Sequence, residues 1–434
     1  MDNKSSILKY NGVNYLIPFI LITACFALWG FANDITNPMV KAFSKIFRMS
    51  VTEGTLTQVA FYGGYFAMAL PAALFIRKFN YKSGILMGLG LYATGAFLFI
   101  AARSTGTYWP FLVAYFILTC GLSFLETSAN PYILAMGSPE TATRRLNFAQ
   151  SFNPIGSLCG MFVAMNFIQA RLNPMSSAQR ANLPDAEFAA MRQSDLGILI
   201  KPYVIIGLVI VAMFLLILLI KMPRVKEENK GSIRETLSDL AGKKRYREGV
   251  LAQFFYVGVQ IMCWTFIIQY GTRIFMERGL SEIDAEVLSQ RYNIAAMIIF
   301  CCSRFVCTWL MKYLQPGKML HTFAIAGIGC TLGVIFLQGI AGLYCLVAVS
   351  ACMSLMFPTI YGIALDGLGE DAKFGAAGLI MAILGGSVLP PLQALIIDRG
   401  TLLGMPAVNV SFVLPMLCFS IIAIYGYRVY KGRI

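Results

Sequence analysis

Ten stretches of this sequence run without a charged side chain: 10–33, 54–76, 83–102, 104–125, 146–170, 202–220, 249–272, 319–365, 374–397 and 400–427. A membrane-spanning helix needs about 20 predominantly apolar residues in succession. The stretch 319–365 is too long for one crossing, and Gln338-Gly339-Ile340-Ala341-Gly342 divides it into two. A further span near 287–312 is interrupted by Arg304. The count comes to twelve, with the fourth helix expected to continue past Glu126 to about Met136. Composition agrees. The chain is 58% hydrophobic and 13% charged, whereas soluble domains are about 45–50% apolar and about 25% charged. These figures argue against a soluble enzyme, a nucleic-acid binder and a secreted disulfide scaffold. The expected class is all-α and integral to the membrane. The first run ends in Asn33-Asp34-Ile35-Thr36-Asn37-Pro38 rather than at a cleavage site, so it reads as a membrane helix and not as a signal peptide.

The net charge of +14 is a matter of sidedness. With the N-terminus inside, 22 of the 35 Lys and Arg fall in cytoplasmic segments and 12 on the opposite side, leaving Arg304 within a helix. The excess predicts that both termini are cytoplasmic in the cell (inner) membrane. Segment 221–248 carries nine of these cations and lies between helices six and seven. It predicts an N-terminal six-helix bundle over 1–221, a basic linker over 222–247 that faces anionic lipid, and a C-terminal six-helix bundle over 248–434. The other long loop, 171–200, is charge-balanced and is expected outside. Eleven cysteines lie in apolar runs without a CxxC pair, as small hydrophobes do, so neither a disulfide nor a metal site is expected. The single histidine, His321, falls at an expected helix start and is read as incidental.

Polar groups inside a membrane helix are costly and mark candidate sites. In helix one, Asn33 and Asn37 share a face with Trp29, while Asp34 is rotated from them by about 100°. They suit sugar hydroxyls or a proton, or cap the end of the helix. In helix four, Glu126 and Asn130 lie four apart. An isolated carboxyl in hydrocarbon is costly as an anion, which suits the loading and release of a proton. In helix five, Asn147, Gln150 and Asn153 form a stripe of amides, which donate and accept at once, as vicinal hydroxyls require. In helix seven, Gln253, Tyr256, Gln260 and Trp264 keep to one face and combine rings with amides. Arg304 in helix eight has either a carboxylate or backbone carbonyls as its partner. Phe357 and Tyr361 place two aromatics four apart in helix ten. Asn37, Asn130, Asn153 and Phe357 each directly precede a proline. Proline leaves a carbonyl one turn earlier without its donor, and broken helices accompany transporter sites.

There is no Walker loop, GxSxG or HExxH, and no catalytic residue or cofactor is expected. Any driving energy would come from an ion gradient.

The stretches FALWGFAN, TQVAFYGGYF, GLSFLETSANP, RLNFAQSFNPIG, LAQFFYVGVQIMCW, SRFVCTWL and FPTIYGIALDGLG resemble the fucose permease group of the major facilitator superfamily, over nearly the whole chain. The resemblance implies twelve helices in two six-helix bundles that rock about a central sugar site. It implies that Glu126 handles the proton and that Gln150 and Asn153 face the cavity, with Asn33, Trp264 and Arg304 at matching positions. The chain also departs from the pattern. Asn37 stands where the family has an aspartate, and the acid here is Asp34. IRKFNYKSG lacks the usual acidic residue after helix two, and Phe357 replaces a tyrosine. The expected function is proton-coupled import of a neutral monosaccharide, with L-fucose the leading candidate, by a monomer. Porters of glucose, galactose, an amino sugar or an acidic sugar are the alternatives, with a non-transporting membrane sensor further off.

Overall fold

A computed structural model describes residues 9–10, 13–36, 39–49, 53, 56–175, 177–223 and 233–434. Within them, twelve helices are long and apolar enough to cross a membrane. The first six are Leu16–Ile35, Val59–Lys78, Tyr81–Thr105, Trp109–Ala135, Pro139–Ile168 and Asp185–Leu219. The second six are Lys244–Glu277, Val287–Leu310, Pro316–Phe336, Ile340–Leu365, Ala372–Ile397 and Ala407–Tyr430. Helices satisfy their own backbone groups, which is why lipid admits them. The long apolar run does break where expected: one helix ends at Phe336, and the next begins at Ile340 after Gly339, whose φ of 74° suits glycine. The fourth helix runs through Glu126 and Asn130 to Ala135.

Not every helical segment was legible from the charge-free runs. The first helix is followed by the short amphipathic Met39–Phe47. The sixth begins at Asp185, well before its apolar stretch. Part of the central linker forms Ile233–Gly242.

The chain divides into two compact units, Met1–Met136 with Phe152–Lys226, and Gly137–Ser151 with Glu227–Ile434. In the first unit, helix four packs on helices two and three, helix six on helix three, and helix one on Asn153–Val163 of helix five. Glycines permit the closest of these approaches. A Cβ on Gly121 would stand 2.5 Å from the backbone nitrogen of Tyr92, and one on Gly156 would overlap the carbonyl of Ala27. Small residues at such contacts let backbones meet, which is a main source of helix association in lipid. In the second unit, helix seven touches helices eight, ten, eleven and twelve. Helix nine packs on ten and twelve, and Ala142–Gln150 of helix five lies against helices eight and ten.

The segment before helix six is folded and tied down within the first unit. Arg180 and Asp195 form a buried ion pair at 2.7 Å. Arg180 also donates to the carbonyl of Asn173 at 2.9 Å, and Asp195 accepts from the Asn173 amide at 2.9 Å. Lys45 donates to the same Asn173 carbonyl at 3.1 Å, joining Met39–Phe47 to the assembly. Beneath it, Phe43 and Phe47 meet Tyr108 and Phe111 ring against ring.

Candidate functional site

Helices one, two and four meet at Tyr65 in the first unit. Its hydroxyl lies 3.1 Å from Glu126 Oε1 and 3.4 Å from Asn33 Oδ1. A tyrosine has one hydroxyl proton, so it donates to one of these acceptors at a time. Ser123 fixes the arrangement by donating to the Tyr65 carbonyl at 3.0 Å. Glu126 is 5% exposed, and among the described residues no cation pairs with it. Asn130, one turn on, is fully buried. Asp34 falls in the last turn of a helix that runs through Thr36, and it interacts electrostatically with Tyr62 of helix two. Asn153 donates from Nδ2 to the carbonyl of Phe26 at 3.1 Å, and Ser157 to that of Gly30 at 3.3 Å. Trp29 packs edge-on against Phe26. Asn37 lies outside the described residues.

The second unit gathers another group. Helix five is interrupted between Gln150 and Asn153, and helix ten between Met353 and Met356. Arg304, 3% exposed, lies beside both breaks. Its Nη1 donates to the Gln150 carbonyl at 3.0 Å and its Nε to the Ser354 carbonyl at 2.5 Å, and the guanidinium covers the Phe300 ring at 4.5 Å. Of the two kinds of partner open to Arg304, the structure shows backbone carbonyls. Asn147 Nδ2 donates to Thr359 Oγ1 at 3.2 Å, again joining helices five and ten. Tyr256 meets Phe357 edge-on, and Phe357 stacks on Tyr361. Gln253 and Tyr256 are fully buried, yet among the described residues neither amide atom of Gln253 nor the Tyr256 hydroxyl has a hydrogen-bond partner. Trp264 donates to Ser350 at 3.2 Å, and Gln260 is partly exposed one turn before it.

Sequence reasoning passed over Tyr65. Its only signal was its place in TQVAFYGGYF, where an aromatic run is as well explained by packing.

The model of the Major Facilitator Superfamily matches residues 21–391, most of the chain. The chain belongs to this superfamily. Among superfamily members, the L-fucose-proton symporter of Haemophilus influenzae is 55% identical over 424 residues, covering 96% of this chain and 97% of the relative. The glucose/galactose transporter of Brucella abortus is 30% identical over 414 residues, covering 95% and 94%. The crystal structure of the superfamily transporter FucP in the outward conformation superposes with a TM-score of 0.86 at 33% identity, covering 95% of this chain and 98% of that one. The twelve helices are those of a Major Facilitator Superfamily transporter, in two six-helix bundles, and the chain is a membrane carrier rather than an enzyme.

Proposed function

We propose that the protein imports L-fucose together with a proton, by alternating access, through the inner membrane with both termini in the cytoplasm. The two halves, 1–221 and 248–434, act as the moving bodies, and 222–247 is the basic cytoplasmic linker that joins them. The protein works as a monomer. The observation that carries the reading is the Glu126 carboxyl, buried with no counter-cation among the described residues and sharing the Tyr65 hydroxyl with Asn33. The L-fucose-proton symporter of Haemophilus influenzae, 55% identical over nearly the full length of both chains, supports it.

The chemistry follows from counting protons. Anionic Glu126 accepts from Tyr65. Protonated Glu126 no longer needs that proton, so Tyr65 turns to Asn33 on helix one. The state of one carboxyl thereby resets a contact among helices one, two and four: the sugar-loaded carrier reorients with Glu126 protonated, because a carboxylate in a dry interior is strongly disfavoured, and the emptied carrier gives up the proton inside and returns with the anion held by Tyr65. Sugar hydroxyls are met by Asn33, Asn37, Asn130, Gln150, Asn153, Gln253 and Gln260. Trp264, Tyr256, Phe357 and Tyr361 supply ring faces, and Arg304 shapes the site. The idle donors and acceptors of Gln253 and Tyr256 fit a ligand rich in hydroxyls. Binding must favour neither facing state strongly, or the cycle would stall.

Asp34 supplies the acid that Asn37 lacks, from an adjacent face. Asp34→Asn in proteoliposomes is expected to lower sugar accumulation under a pH gradient roughly tenfold, the effect of about 1.4 kcal/mol. Unchanged accumulation would assign Asp34 to holding the end of helix one. The glucose/galactose relative favours a second reading, a hexose of another kind. Competition of labelled L-fucose uptake by a panel of sugars decides between them, since a glucose or galactose carrier would be inhibited more strongly by those sugars than by L-fucose.

A further inference from the structure

Arg304 holds two particular carbonyls. Proline cannot donate to the carbonyl four residues before it. Pro154 therefore leaves the Gln150 carbonyl without its helical donor, and Pro358 leaves that of Ser354. These are the two carbonyls that Arg304 fills, one on helix five and one on helix ten, from its own place on helix eight. Among the described residues no carboxylate pairs with the guanidinium, which also covers the Phe300 ring. A buried carbonyl with no donor is expensive in a membrane, so the three helices hold one another through a single planar cation. Arginine suits this because its donors are fixed in a fork.

The contacts around it run the same way. Asn147 and Thr359 hydrogen-bond across helices five and ten, and Thr143 closes on Gly362, where an added Cβ would stand 2.8 Å from Thr143 Oγ1. All of them join Ala142–Gln150 to Met356–Leu365, the half-helices on one side of the two breaks.

We propose that Arg304 is a latch. It clasps the proline-freed carbonyls of helices five and ten in the state seen here, and it releases the Gln150 carbonyl when the half-helix 142–150 swings away to open that side of the carrier. Arg304 is thus a positioning residue whose bonds set the balance between facing states. The inference rests on alternating access but not on the identity of the sugar.

The test reads accessibility with no sugar present. Cys159 and Cys302, both exposed, are replaced by alanine to give the parent, and Thr143→Cys in that parent reports on the contact with Gly362. Labelling of detergent-purified protein by a charged maleimide is timed, and the background of the parent that retains Thr143 is subtracted. Arg304→Gln is expected to speed labelling about tenfold, a shift of about 1.4 kcal/mol in the equilibrium. Pro154→Ala returns an N–H to the Gln150 carbonyl, competes with Arg304 and is expected to speed labelling too. The double variant should label no faster than Arg304→Gln alone, because both changes remove the same bond. Should Arg304→Gln not yield monodisperse protein, Arg304→Lys and Pro154→Ala carry the same comparison. Labelling at the unaltered rate in the Arg304 variant, or effects of the two changes that multiply, would overturn the latch. Lost L-fucose binding with unaltered labelling would instead make Arg304 a sugar contact.

Discussion

Glu126→Gln is expected to abolish accumulation of L-fucose driven by a pH gradient, while exchange of labelled for unlabelled sugar continues. This is the largest functional effect expected of a single substitution. One pH unit stores about 1.4 kcal/mol per proton, enough for roughly tenfold accumulation at one proton per sugar. A glutamine keeps the shape of the protonated acid and an oxygen for Tyr65, so the meeting of helices one, two and four survives. It cannot take up or lose a proton, so the carrier runs as an exchanger and the pH gradient no longer drives net uptake of sugar. The check is a proteoliposome assay with counterflow and gradient-driven uptake measured on the same preparation. Gradient-driven accumulation that persists in the variant would remove Glu126 from the coupling step.

Asp195→Ala should be the most damaging change to the fold outside the helix interfaces. It strips Arg180 of its carboxylate while the guanidinium stays fully buried. Breaking one side of a buried pair costs about 3–5 kcal/mol, because the remaining charge has lost both its partner and its water. The Asn173 amide loses its acceptor as well. Thermal unfolding in detergent should show a clearly lowered midpoint. Replacing both residues together by apolar ones, Arg180→Met with Asp195→Leu, should recover much of it, since no charge is then stranded. An Asp195→Ala variant that unfolds at the parent temperature would show that the segment contributes little to holding the first unit together.

The spans were legible because lipid imposes a length and a composition that a reader can count. The break at Gly339 showed for the same reason. Helix six from Asp185 and the helix Met39–Phe47 did not, because both carry charges and owe their shape to contacts such as Arg180 with Asp195 rather than to an apolar run. Glu126 stood out as a lone acid in an apolar helix. Tyr65, its partner, did not, since a tyrosine among aromatics has no periodicity that separates a hydrogen-bonding role from packing. The breaks just before Asn153-Pro154 and Phe357-Pro358 could be read from their prolines. What fills the freed carbonyls depends on which helices fold together; sequence leaves Arg304 two kinds of partner, and the fold supplies the carbonyls of Gln150 and Ser354.

Burial separates the ion pair of Arg180 with Asp195 from those at the start of helix seven, and that difference bears on how the protein meets its surroundings. Arg180 and Asp195 are sealed from solvent, whereas Lys243 with Asp371, Arg245 with Asp366 and Arg428 with Glu248 all keep substantial contact with it. Dissolved ions screen exposed charges over about 10 Å at 0.1 M and hardly reach buried ones. The knot around Arg180 therefore keeps its shape in dilute and in salty media alike. The pairs that join the start of helix seven to its neighbours loosen as ionic strength rises, so a change in the salt content of the medium is felt at that end of the second unit and passes the knot by.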